Sequence, residues 1–171
     1  MTPTCGANPP WLAHFGWPRC CPQLACDALI VAIGSNPVRQ QLVGRFGAMG
    51  YSFATAVHPT AVIADGVTLG EGSMVCARVV VNTGSTIGRH TILNTAATID
   101  HHNHIGDFVH IAPGVHTGGE VQVGHGTLVG IGAIIMPQCH VGQNCRVGAG
   151  ALIHRHLADN LTAVGLPAQP R

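Results

Sequence analysis

The sequence predicts a triangular β-solenoid, in which short parallel strands coil around a narrow core. One observation is an aliphatic residue at every sixth position over a long stretch, with no insertion or deletion and with Thr117 as the one polar anchor. A second is a set of glycines, each following an anchor, at intervals of 18 residues. A repeat this regular indicates an architecture of stacked units. The anchors are Ile63, Leu69, Val75, Val81, Ile87, Leu93, Ile99, Ile105, Ile111, Thr117, Val123, Val129, Ile135, Val141, Val147 and Ile153, and the glycines are Gly70, Gly88, Gly106, Gly124 and Gly142.

A third observation concerns the residue four positions beyond each anchor. Alternate residues of a strand share one face, so we expect these side chains to point into the coil together with the anchors. Asn103 is the exception in polarity, and it lies in the coil richest in histidine. Three strands per 18-residue coil predict a prism of about five coils, stabilised by the stacking of neighbouring coils. Nearly all of the set are small or β-branched: Val67, Ser73, Val79, Ser85, Thr91, Ala97, Asn103, Val109, Val115, Val121, Thr127, Ala133, Cys139, Cys145, Ala151 and Leu157.

The composition excludes several classes of protein. The chain has 171 residues, a net charge of +1 and only 9% charged residues, which gives no electrostatic basis for binding nucleic acid or an acidic membrane. It contains no apolar run of membrane-spanning length, and its first 26 residues lack the pattern of a signal peptide. Seven cysteines are an odd number, and three of them occupy small positions inside the repeat. Reduced thiols in a cytoplasmic protein are therefore favoured over a disulfide framework.

Three segments are predicted in chain order. Residues 1–26 show no usable periodicity and are expected to form an irregular N-terminal arm. Residues 27–57 predict a partial β-α-β unit, with strands over 28–33 and 51–57 that flank one helix. Residues 58–171 form the solenoid and a C-terminal tail. Because one small unit cannot bury both faces of a sheet, we expect it to pack on the solenoid or on another chain.

The helix of that small unit has clear boundary signals. Ser35 and Asn36 are residues that cap helices, and Pro37 suits the first turn. Apolar residues then recur at helical spacing from Val38 onward, which predicts that Arg39 points outward. A phosphate-binding turn at the helix start is a weaker interpretation than a simple tight turn.

Local motifs resemble those of a known enzyme family. The aliphatic-Gly-x-x-small-x hexapeptide is typical of the left-handed parallel β-helix of hexapeptide acyltransferases; the hand follows from this resemblance, since general crossover rules favour the right hand. Within that group, the chain resembles the sialic acid O-acetyltransferase and bacterial nucleotide-sugar N-acetyltransferase family. The matching stretches are VAIGSN at 31–36, HPTA at 58–61, IDHHNHIGDFVHIAPG at 99–114 and VGLPA at 164–168. The expected fold is therefore mainly β, a left-handed parallel β-helix preceded by a small partial α/β unit.

The resemblance implies an acetyl-CoA-dependent acetyltransferase whose acceptor is a hydroxyl or amine of a sugar or nucleotide-sugar. It makes His101 the general base, a role that suits a side chain with a pKa near neutrality. The acceptor would then attack the thioester directly, without an acyl-enzyme. His110 matches a family histidine that contacts acetyl-CoA. The family also implies a homotrimer with the active sites between neighbouring prisms.

The 18-residue period adds two further predictions. The family often places a carboxylate after the base, where this chain has His102; Glu120 lies one coil further on, so we expect His102 and Glu120 to form a polar ladder beside His101. An unrelated surface carboxylate is the alternative. Ile131 and Ala149 are also one coil apart and match family positions that contact acetyl-CoA. The glycines beside them permit close backbone approach or simply serve tight corners.

Two rival functions stay open at this point. The first is a trimeric zinc enzyme like the γ-class carbonic anhydrases: His104 and His140 lie two coils apart, but Cys145 stands where a third histidine is needed, so no metal site is expected. The second is a catalytically inactive solenoid that serves as an assembly module. It draws on a departure from the family, whose Gly-rich N-terminal loop for the sugar nucleotide is replaced here by residues 1–26, which suggests a truncated nucleotide-binding domain.

Overall fold

The computed structural model describes residues 26–171, which form one helix followed by a parallel β-helix. The predicted irregular arm therefore lies outside the described residues, apart from Cys26. No helix among residues 26–171 is long and apolar enough to cross a membrane. The elements are α1 Asn36–Ala48, β1 Ala56–Val57, β2 Val62–Ile63, β3 Thr68–Leu69, β4 Met74–Val75, β5 Val80–Val81, β6 Thr86–Ile87, β7 Ile92–Leu93, β8 Thr98–Ile99, β9 His104–Ile105, β10 His110–Ile111, β11 His116–Thr117, β12 Gln122–Val123, β13 Leu128–Val129, β14 Ile134–Ile135, β15 His140–Val141, β16 Arg146–Val147, β17 Leu152–Ile153, β18 Thr162–Val164 and β19 Gln169–Pro170.

Three parallel sheets form the three faces of a prism. Their strand orders are β1-β4-β7-β10-β13-β16-β18-β19, β2-β5-β8-β11-β14-β17 and β3-β6-β9-β12-β15. Within the repeat, each strand pairs with the strand 18 residues further on, as Val62 pairs with Val80 and His104 with Gln122. The pairing confirms the predicted three-strand coil. Only β19 departs from it, because it runs antiparallel to β18 at the C-terminal end.

The core contains the two predicted sets of inward residues. The anchors form the second residue of each strand from β2 to β17, and those from Val75 to Ile153 are buried. The set four positions further on is buried from Ser73 to Leu157. Even the polar anchor Thr117 is only 6% exposed. Stacking thus removes nearly all of this apolar surface from water, which is the main stabilising contribution in a solenoid.

Inward hydroxyl groups are integrated into the backbone in one recurring way. Ser73, Ser85, Thr91 and Thr127 each donate to the carbonyl oxygen 15 residues further on, at 2.7–2.8 Å. Each also accepts the N–H of the residue 18 positions on, at 2.9–3.2 Å. Because buried polar groups are costly when unpaired, this double bond makes a hydroxyl compatible with the core.

The N-terminal unit differs from the prediction in its strands. Instead of two strands, residues 28–33 and 51–55 make one isolated parallel bridge, between Leu29 and Phe53. The last two residues of the second predicted strand, Ala56–Val57, already belong to the coil, where they pair with β4. The helix begins at Asn36 with Pro37 in its first turn, although Ser35 makes no side-chain capping bond. The unit is held to the coil by side chains rather than by a sheet of its own.

The prediction that Arg39 points outward is wrong. This side chain is 1% exposed, and its guanidinium donates to the carbonyl oxygens of Ile33 at 2.7 Å, His90 at 2.8 Å and Phe108 at 2.7 Å. It also donates to the side-chain oxygen of Asn36, whose amide in turn donates to the coil. Burial lowers the pKa of Arg39 to about 10. Helical periodicity assigns charge to the outside, but the five donors of an arginine match the carbonyl groups that the coil presents here.

Candidate active site

The turns of the coil stack into three edges with different side chains. We call the edge formed by turns 83–84, 101–102, 119–120 and 137–138 the histidine edge. The glycine edge consists of turns 113–114, 131–132 and 149–150. The covered edge consists of turns 89–90, 107–108 and 125–126, which lie under the N-terminal unit. At all three edges the second residue of each turn has a positive φ, a conformation that side chains other than glycine adopt at a cost.

His101 is half-buried at the first turn position of the histidine edge. Its N–H donates to the Asp100 carboxylate at 2.8 Å, and its ring lies against Gly119 so closely that a Cβ there would overlap it. The Nδ1 atoms of His101 and His102 share a hydrogen bond of 3.1 Å, with the rings edge to face. The structure therefore brings the two predicted histidines together on one turn.

Glu120 lies one coil above His102, as the period predicts. Its N–H donates to the carbonyl oxygen of His101 at 2.9 Å, but its carboxylate accepts from Gln138 at 3.2 Å. Within residues 26–171 the one ion pair joins Arg89 to Glu71, so the carboxylate makes no ion pair with either imidazole. The polar ladder therefore stays a prediction.

The glycine edge consists of exposed backbone in an open groove. Ile131 is 62% exposed and Ala149 is also exposed, and the carbonyl of Ile131 accepts the N–H of Gly150 at 2.8 Å. A Cβ on Gly114, Gly132 or Gly150 would meet nothing within 4 Å. These three glycines have φ of 64–65°. An extended molecule with amide groups can therefore approach the backbone along this edge without displacing a side chain.

His110 lies between the coil and the N-terminal unit. Its Nδ1 is 3.0 Å from the carbonyl oxygen of Gly34, and its Nε2 is 3.2 Å from the amide nitrogen of Asn94. Since a carbonyl only accepts and an amide NH2 only donates, these partners fix a neutral ring that is protonated at Nδ1. Burial lowers the pKa of His110, while the bond to Gly34 acts in the opposite direction. The ring is thus held neutral and oriented before any ligand binds.

His101 and the glycine edge of one chain do not share an edge of the prism. From turn 113–114 the chain passes through β11 to turn 119–120, so one whole face separates the two edges. Apolar side chains point outward from this face, where Val62 is 61%, Val80 39% and Ile134 44% exposed. A site that uses both edges therefore needs a second copy of the chain.

The residues of the zinc interpretation do not form a ligand set. Gln122 stands between His104 and His140 in their sheet, and Cys145 is buried with its thiol directed at the carbonyl of Ala158. Among residues 26–171, no three histidine, cysteine or carboxylate side chains lie together in a way that would hold a metal ion.

Comparisons with known proteins agree with this geometry. Residues 120–155 match the family model for the bacterial transferase hexapeptide (six repeats). The solved acetyltransferase domain of PglB from Neisseria gonorrhoeae FA1090 is 38% identical, with a TM-score of 0.82 over 84% of this chain and 70% of that chain. The chain belongs to the hexapeptide-repeat acyltransferase family. Its β-helix is accordingly left-handed, as the sequence resemblance predicts.

Two further relatives place the chain near nucleotide-sugar N-acetyltransferases within that family. PerB from Caulobacter crescentus, solved in complex with CoA and GDP-perosamine, is 39% identical, with a TM-score of 0.83 over 85% of this chain and 70% of that chain. UDP-N-acetylbacillosamine N-acetyltransferase of Bacillus subtilis (strain 168) is 39% identical over 48 residues, or 28% of this chain. Matches to the curated relatives cover 22–48% of those proteins' lengths.

Two features of the site escaped sequence reasoning. The first is the bond from His110 to Gly34, which links the site to the N-terminal unit. Its signal is the Asn-x-x-Arg spacing of Asn36 and Arg39, which places two polar side chains on the helix face that docks here. The second is the extension of the glycine edge by one coil to Gly114, which the sequence contains at the same 18-residue interval as Gly132.

Proposed function

We propose that this protein is an acetyl-CoA-dependent acetyltransferase that acetylates an amine or hydroxyl of a sugar or nucleotide-sugar. The observation that carries the proposal is the likeness to PerB, which was solved with CoA and GDP-perosamine bound and shares 39% identity across 85% of this chain. The open backbone of the glycine edge fits an extended, amide-containing donor. The exposed turn of His101 fits a base that meets an acceptor from solvent.

In the proposed reaction, His101 removes the proton of the acceptor as its nitrogen or oxygen attacks the thioester carbonyl carbon. The tetrahedral intermediate then collapses, the carbon–sulfur bond breaks, and the thiolate leaves and takes up a proton. No bond to the enzyme forms at any stage. His102 assists by holding the His101 ring, and the negative charge of Glu120 favours the imidazolium that forms.

The donor is proposed to lie along Ile131 and Ala149 and to reach His110. Backbone N–H and C=O groups beside the glycines would pair with the pantetheine amides. His110 offers a neutral, oriented ring at the face next to this edge, and the donor would compete with Asn94 for its Nε2. A His110→Ala variant should therefore bind acetyl-CoA more weakly in calorimetry while keeping its secondary structure; unchanged affinity would remove His110 from the donor site.

A homotrimer is part of the proposal. One face separates the two functional edges of a single chain, and that face exposes apolar residues that a partner prism would cover. Sedimentation equilibrium would test it, and a monomeric mass with full activity would contradict it. We also propose a cytoplasmic location, since acetyl-CoA is made there and the described cysteines are free thiols.

The deciding experiment is a CoA-release assay over amino sugars, sialic acids and nucleotide-linked amino sugars. We expect one acceptor class to release CoA in proportion to acetylated product. Binding of acetyl-CoA by calorimetry separates this function from the inactive assembly module, and metal analysis separates it from the zinc enzyme. A protein that binds no acetyl-CoA at millimolar concentration would contradict the proposal.

A further inference from the structure

Asn103 is an irregular residue inside the coil that carries His101. It is 1% exposed, and its side-chain NH2 donates to the carbonyl oxygens of Asp100 at 2.7 Å and Gly118 at 2.9 Å. The carbonyl oxygen of His101 lies within 3.2 Å of the same nitrogen. One buried amide therefore joins the His101 turn to the turn stacked on it.

This arrangement differs from the way in which the coil binds its other inward polar groups. Ser85, in the same column, donates to a carbonyl 15 residues on and accepts an N–H 18 residues on. Asn103 keeps the first bond, to Gly118, but its Oδ1 has no partner. In place of the second bond it donates backward to its own turn. A serine would satisfy the backbone more completely, so stability alone does not explain the asparagine.

Thr117, the one polar anchor, acts on the same peptide. Its hydroxyl accepts the N–H of Asp100 at 3.3 Å, while Ser85 donates to the carbonyl of Asp100 at 2.8 Å. The polar departures from both inward sets thus converge behind the turn of His101. Elsewhere the inward hydroxyls, such as that of Thr127, bind one carbonyl and one N–H of separate coils.

We propose that Asn103 is the positioning residue for His101, because its buried amide holds from inside the turn from which the proposed base projects. This inference rests on the proposed function. Asn103 touches neither donor nor acceptor; it fixes the backbone that sets the direction of the His101 ring. A base must stay within hydrogen-bond reach of the acceptor's proton, so a looser turn lowers the rate of the chemical step rather than the affinity for the donor.

The test compares Asn103→Ser with the matched control Thr127→Val. Serine keeps the bond to Gly118 and gains an acceptor, but it loses both bonds to the His101 turn. We expect Asn103→Ser to lower kcat by about tenfold, with KM for acetyl-CoA within about twofold and with unchanged or higher thermal stability. Thr127→Val removes a comparable interior bond away from the site, so it should lower stability and leave kcat unchanged.

Amide hydrogen exchange supplies a readout that does not need turnover. In Asn103→Ser, exchange in the segment 100–103 should become about tenfold faster, while the coils on either side keep their protection. Unchanged exchange and kcat would overturn the inference, as would a loss of kcat that follows a matching loss of stability. If wild-type protein acetylates no acceptor, the proposed function fails instead, and the exchange rates still decide whether Asn103 holds the turn.

Discussion

The histidine edge and the glycine edge are built from the same hexapeptide but present opposite kinds of surface. At the histidine edge, side chains occupy the positive-φ turns: His102 and Glu120 adopt φ of 55° and 60°, and His101 packs against Gly119. At the glycine edge, the equivalent positions are Gly132 and Gly150, and the backbone is open to solvent. One edge presents ionisable groups in a fixed place, and the other presents peptide groups.

This difference indicates how one repeat separates two tasks. Proton transfer needs a titratable side chain held in a fixed direction, and the histidine edge supplies it with the interior support of Asn103. Donor binding needs close approach to peptide groups, and glycine permits that approach. Because a whole face separates the edges, changes at one should affect a single kinetic step and leave the other step intact. The following variants test that separation.

The largest effect is expected from His101→Ala. Loss of a general base lowers kcat by roughly 10²–10⁴-fold, whereas binding of acetyl-CoA should be retained because the glycine edge is unchanged. Calorimetry and steady-state kinetics on the same preparation measure both quantities. His104→Ala is the control, since His104 is an exposed histidine whose Nδ1 lies 2.6 Å from the Thr86 hydroxyl. Normal turnover of His101→Ala would remove the base from the histidine edge.

A charge at Ala149 tests the glycine edge. The longer side chain of Ala149→Glu enters the open groove, and its carboxylate repels an anionic donor, so we expect KM for acetyl-CoA to rise about tenfold with kcat within about twofold. Ala149→Gln has the same size without the charge and should raise KM by a smaller factor. A fall in kcat at constant KM would mean that the two edges are not functionally separate.

The comparison also separates what the sequence predicts from what it does not. The period of 18 predicts the column of Ile131 over Ala149, because every coil obeys the same burial rule. It does not predict the direction of the Glu120 carboxylate, which depends on whether Gln138 or an imidazole is nearer. Nor does it predict the burial of Arg39, because that depends on carbonyl groups contributed by distant coils. Periodic features follow from local sequence, whereas paired polar groups follow from the tertiary contacts.

A smaller effect is expected from Glu120→Gln, which sharpens the role of charge at the histidine edge. The substitution keeps the shape and a partner for Gln138 but removes the negative charge beside the imidazoles. If that charge favours the protonated base, kcat should fall about threefold. Gln138→Ala is the control, because it removes the hydrogen-bond donor and keeps the carboxylate. Equal rates for Glu120→Gln and wild type would show that the carboxylate is only a surface group.

The smallest effect concerns stability and involves a histidine that belongs to neither functional edge. His90, on the covered edge, is packed between Phe53 and Phe108, and burial lowers its pKa below the ordinary value of 6.5. The positive charge of Arg89 acts in the same direction, whereas Glu71 opposes it. The unfolded chain therefore binds a proton at a higher pH than the folded chain does.

The sign of the pH dependence follows from that difference. The contribution of His90 is fully present above about pH 6.5 and is lost as the pH falls through its lower folded pKa. We expect the free energy of unfolding, measured with urea, to decrease between pH 7.5 and pH 5.5, and to decrease less in His90→Asn. Asparagine suits the φ of 53° at this position. Identical pH slopes would show that the covered edge does not carry this linkage. The expected slopes would show that histidines on the same 18-residue repeat serve stability at one edge and proton transfer at another.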